Sequence, residues 1–125
     1  MLDRFASSGF DVFAGSETFL LANMRNGGKG CISATANVNP AAIYDLYARW
    51  KIDGADALQQ RLDTIRQTFQ KYPMIPALKA AVAHWSGDPG WARVRPPLVE
   101  MNAEQSGALI ADLKQRDFSM PGLER

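Results

Sequence analysis

Two short β-prone segments flank one helix near the start of the chain. Phe10-Asp11-Val12-Phe13-Ala14 ends at Gly15-Ser16, and Cys31-Ile32-Ser33-Ala34-Thr35 follows Gly27-Gly28-Lys29-Gly30. Between them, Ser16 is placed to cap a helix over 17–25 with Leu20 and Met24 one turn apart, and Asn26-Gly27-Gly28 ends it. Strand, helix, strand at this spacing predicts a βαβ unit with parallel strands. Parallel strands are ordinarily buried on both faces inside a larger sheet or barrel, and a two-stranded pair leaves both outer edges open. These strands therefore expect neighbours that residues 1–125 do not supply.

The remainder reads as helical. Asn39 caps and Pro40 opens a helix whose stripe is Ile43, Leu46, Tyr47 and Trp50. Asp53 is the expected cap of the next, with the stripe Leu58, Leu62, Ile65 and Phe69. Tyr72-Pro73-Met74-Ile75-Pro76 interrupts the pattern, and Pro76 is expected to start a helix carrying Leu78, Val82 and Trp85. Residues 86–90 form a turn. Arg95-Pro96-Pro97-Leu98 is expected to be extended. Asn102 and Gln105 have capping-box spacing before a last helix with Leu109, Ile110 and Leu113.

Composition narrows the function classes. The 125 residues suit one domain, 46% are hydrophobic and 22% charged, and the net charge is +1. Acids and bases are interspersed without a basic stripe, which argues against nucleic acid or an anionic membrane as partner. Apolar runs are far short of a membrane span, and MLDRFASSG lacks the apolar core of a signal peptide. The single Cys31 points to a reducing cytoplasm. The single His84 has no neighbours in sequence to complete a metal site, so none is expected there.

Val12-Phe13-Ala14-Gly15-Ser16-Glu17 and Gly27-Gly28-Lys29-Gly30-Cys31-Ile32-Ser33-Ala34-Thr35-Ala36-Asn37-Val38-Asn39-Pro40 together resemble strands seven and eight of the dihydrodipicolinate synthase / N-acetylneuraminate lyase family. Tyr72-Pro73-Met74-Ile75-Pro76-Ala77-Leu78-Lys79-Ala80 and Val94-Arg95-Pro96-Pro97-Leu98 resemble two further segments of that family, in the same order. The resemblance implies an α/β fold: residues 1–50 as the last strands and helices of a (β/α)8 barrel, and 51–125 as its C-terminal helical extension.

It also implies a Schiff-base lyase or aldolase acting on pyruvate or a related 2-keto acid, with no cofactor and an oligomeric parent enzyme. By the same resemblance Gly15 leaves room for the keto acid, the Ile32 backbone contacts it, and Glu17 faces the distal part of the substrate. Glu17 in a first helical turn can equally serve the helix dipole. Thr18 and Ala34 stand where the sialate-cleaving branch carries an acid and a serine, which favours the synthase branch. No residue of this chain matches the family's Schiff-base lysine or its strand-five tyrosine, so no catalytic residue is expected here. Lys29, Lys51, Lys71, Lys79 and Lys114 read as poor substitutes, and the lysine is expected on a segment preceding residue 1. The alternative is a non-catalytic remnant, or a helical interaction module that associates through its strand edges.

Overall fold

The computed structural model describes residues 2–123. In order, these form α1 (Leu2–Phe5), β1 (Phe13–Ala14), α2 (Leu20–Arg25), β2 (Gly30–Cys31), α3 (Pro40–Arg49), α4 (Ala55–Gln70), α5 (Met74–Ser86) and α6 (Ala103–Gln115), with 3₁₀ turns between several of them. The chain divides into two compact units, one running to Thr64 and one from Ile65.

In the first unit β1 and β2 pair in parallel, Phe13 opposite Gly30 and Ala14 opposite Cys31. Among the described residues no third strand joins them. Each strand is two residues long, against the five expected. A strand grows by exchanging ladder hydrogen bonds with neighbours on both sides, and here only one side is occupied. The helix after β1 opens as a 3₁₀ turn over Glu17–Phe19 before α2, and the Ser16 hydroxyl caps it by accepting from the Thr18 N–H at 3.2 Å.

Leu20, Leu21 and Met24 of α2 pack with Ile43 and Leu46 of α3 and with Ala55 and Leu62 of α4. Leu20 and Leu46 are fully buried, each contributing about 1.5–3 kcal/mol by leaving water. Asn39 occupies the cap position of α3 with Pro40 first in the helix, but its side chain makes no cap bond. α4 begins one residue later than expected. The Gly54 carbonyl, rather than Asp53, receives the first helical N–H groups, from Ala57 and Leu58.

In the second unit Phe118 packs edge-on against Phe69 and Trp85, with ring centroids 6.0 and 5.3 Å apart. Leu109, Ile110 and Leu113 of α6 are buried, as are Ala77, Leu78, Ala80 and Ala81 of α5. α5 starts at Met74, two residues before the expected Pro76. Pro76 is tolerated there because the first-turn N–H groups of a helix have no intrahelical partner. Asn102 and Gln105 form the expected reciprocal capping box.

One expectation is corrected in this unit. Residues 95–98 are not extended: they close a turn around a cis Pro96–Pro97 bond, the Leu98 N–H donating to the Arg95 carbonyl. Trp91 is half exposed, outside the core, with the Lys79 ammonium over its ring at 5.6 Å. His84 is exposed and stands edge-on to Trp85.

Candidate functional site

The connection from β1 to β2 ties the strand pair at both ends. At the entry end, the Asn23 carboxamide donates to the Gly30 carbonyl at 2.8 Å and to the Val12 carbonyl at 3.1 Å. This bridge accounts for the second glycine of Gly27-Gly28. A Cβ on Gly28 would fall on Cγ, Oδ1 and Nδ2 of Asn23, far inside van der Waals contact. Gly27 answers to a different need, a φ of 86° that turns the chain out of α2.

At the exit end lies a buried carboxylate. Glu17 is 2% exposed. Its Oε1 accepts from the Thr35 hydroxyl, and its Oε2 accepts from the hydroxyls of Ser33 and, at 3.3 Å, Ser16. Ser33 and Thr35 are themselves 3.0 Å apart. Ser33 is extended and the 3₁₀ turn Ala34–Asn37 starts directly after it, a bend that brings the Ser33 and Thr35 hydroxyls to the same carboxylate. From α4, the Gln59 amide donates to the Glu17 backbone carbonyl at 3.0 Å, and its oxygen accepts from the Leu21 N–H at 3.0 Å. These partners all lie within the first unit. Cys31, half buried beside it, has its thiol pushed up, first by burial and second by the Glu17 charge.

Gly15 and Ile32 lie next to this network. Ile32 donates its N–H to the Ala14 carbonyl at 2.8 Å, and its side chain is 74% exposed. A Cβ on Gly15 would meet nothing within 4 Å. All three residues expected at the site therefore stand at the C-terminal end of the parallel pair: Gly15 and Ile32 open, Glu17 beneath them. Asn37 caps its own loop, donating to the Ala34 carbonyl at 2.9 Å. A shallow groove along β1, lined by residues that include Val12, Ala14, Phe19 and Asn23, contains none of the three.

Sequence reasoning missed Asn23 and Gln59. Gln59 lies 42 residues from Glu17 in the chain, and nothing local marks it. Among the described residues, no group of three or more His, Cys, Asp or Glu could hold a metal ion. None of the described helices is long and apolar enough to cross a membrane.

Residues 2–116 match the dihydrodipicolinate synthetase family, and the chain belongs to it. It is 30% identical over 109 residues to 4-hydroxy-tetrahydrodipicolinate synthase 1 of Clostridium acetobutylicum, a match covering 84% of this chain and 36% of that protein. It is 40% identical over 75 residues to the 4-hydroxy-tetrahydrodipicolinate synthase of Halorhodospira halophila, covering 58% of this chain and 25% of the relative. The chain thus spans only about a quarter to a third of these relatives' length. Among solved structures it resembles YagE, a prophage protein of the dihydrodipicolinic acid synthase family from E. coli K12 in complex with pyruvate. That match has a TM-score of 0.78 and 27% identity, covering 91% of this chain and 39% of the other. N-acetylneuraminate lyase from Fusobacterium nucleatum matches in fold, with a TM-score of 0.78 at 20% identity, over 91% of this chain and 40% of that one. The fold is accordingly part of a (β/α)8 barrel, which explains a parallel pair with open edges.

Proposed function

We propose that this chain is the C-terminal part of a cytoplasmic, oligomeric lyase or aldolase that forms a Schiff base with pyruvate or a related 2-keto acid. Residues up to about 50 serve as the last barrel strands and helices, and residues 51–125 as the helical extension. In this reading Gly15 and the Ile32 backbone flank the bound keto acid, and Glu17 supports that side of the pocket through its hydroxyl partners.

The observation that carries the proposal is the pairing of Gly15 and Ile32. Both are open, at the C-terminal end of parallel strands, where barrel enzymes assemble their sites. The pyruvate bound to YagE supports the choice of ligand, and the curated synthases support the choice of reaction. Imine formation converts the keto acid into an enamine nucleophile without a metal or organic cofactor. The lysine that forms the imine is supplied by a segment outside residues 1–125.

A second reading rests on the open strand edges. With one partner each, β1 and β2 could recruit another chain, making this a non-catalytic remnant or interaction module. The reading frame upstream of codon 1 separates the two. An open frame encoding a strand with a lysine supports the lyase, and a stop codon there supports the second reading. Size-exclusion chromatography adds a check, because a stable, well-folded monomer would count against the need of these strands for partners.

A further inference from the structure

Among the described residues, Glu17 is the one buried carboxylate, and its backbone and side chain both reach other elements of the first unit. Its carbonyl is held by Gln59, and its two carboxylate oxygens bind hydroxyls of the segment that follows β2. Burying a carboxylate is expensive without donors, and here hydroxyls meet both oxygens. The backbone ladder joins only two residue pairs, so side chains carry much of the registration beyond it. Glu17 lies two residues past Gly15, and Ser33 lies one residue past Ile32. The carboxylate thus spans the gap between the two backbone positions that face the proposed pocket.

We propose that Glu17 is a positioning residue, an anionic tie whose carboxylate, bridging Ser33 and Thr35, fixes the Ile32 backbone relative to Gly15. It acts on Ile32 through these hydroxyls and requires no bound substrate. Gln59 holds the carboxylate's own main chain in place, so the tie runs from α4 through the exit of β1 to the exit of β2. Glu17 also acts on Cys31, whose thiol it helps to keep protonated.

Two measurements on the chain itself test this tie. The first is hydrogen exchange of the Ile32 amide, which donates across to Ala14. The second is the pH profile of Cys31 alkylation by iodoacetamide. Glu17→Gln keeps the shape and removes the charge. It is expected to speed Ile32 exchange by about tenfold or more, the scale of a lost charge-assisted hydrogen bond. It is also expected to move the Cys31 alkylation midpoint downward, which a purely space-filling side chain would not do. A folded Glu17→Gln variant with Ile32 exchange at the wild-type rate, or with an unmoved Cys31 midpoint, overturns the proposal. If Glu17→Gln does not fold, Thr35→Val decides by the same exchange measurement. Acceleration of about tenfold upholds the tie, and an unchanged rate overturns it.

Discussion

Gly28→Ala is the substitution whose effect follows most closely from the geometry. The added methyl would occupy the space of the Asn23 carboxamide, which is 8% exposed and bonded to the carbonyls of Val12 and Gly30. The Val12 carbonyl keeps a second partner, the Lys29 N–H at 2.9 Å. Displacing Asn23 therefore removes one net hydrogen bond, about 0.5–1.5 kcal/mol. It also removes the Asn23 bond to the Gly30 carbonyl, which stays within the parallel ladder, for about a further 0.5–1.5 kcal/mol. Holding Asn23 and shifting the backbone instead falls in the same range, about 1–3 kcal/mol for an overpacked site. The expected loss is about 1–3 kcal/mol, read by urea denaturation followed by circular dichroism. In an Asn23→Ala background the obstacle is gone, and the same substitution should lie within about 0.5 kcal/mol of neutral. The coupling between the two positions should then be about 1–3 kcal/mol. An equal loss in both backgrounds would refute the assignment of Gly28 to the Asn23 bridge.

Other substitutions follow from burial and charge. Leu46→Ala removes a fully buried side chain and should lower stability by about 2–5 kcal/mol, whereas Ile32→Ala, at a side chain 74% exposed, should stay within about 0.5 kcal/mol; comparable losses from both in the same denaturation assay would contradict the burial pattern. The His84 imidazole is held below the ordinary histidine range, by burial first and by the Lys114 charge second. Its neutral form is favoured on folding, so the stability it contributes is present above the unfolded value near about 6.5 and is lost as pH falls through the folded one. An NMR titration of this single histidine should give a midpoint below that of a free peptide, moving upward in Lys114→Gln; a midpoint at or above the peptide value would contradict the assignment.

The features legible in the sequence are those set by neighbours in the chain. Asn102 and Gln105 are three residues apart, and their reciprocal bonds need no tertiary context. The stripes of α3, α4 and α6 report which faces must leave water, and Ile43, Leu46, Leu62 and Leu109 are buried accordingly. The parallel pair was legible from one helix between two β-prone segments, and the resemblance explained its missing neighbours. Strand length was not legible, because it depends on partners outside residues 1–125. The exposure of Trp91 and His84 was not legible either, since both lie beside apolar residues and only the tertiary arrangement decides which are covered. At the candidate site, the position of Gly15 and Ile32 at the ends of the two strands was legible from the β-prone segments. The burial of Glu17 was not, because it depends on hydroxyls 16 and 18 residues away and on Gln59 in α4.

Borohydride reduction in the presence of labelled pyruvate, followed by peptide mapping, bears on the lyase assignment without intermediaries. If the proposed lyase carries these residues as its C-terminal part, the adduct falls on a lysine preceding residue 1. The 125-residue chain alone should trap none. A covalent adduct on Lys29, Lys51, Lys71, Lys79 or Lys114 would contradict the division of labour proposed here, in which this chain shapes and steadies the keto-acid pocket and another segment brings the reactive amine.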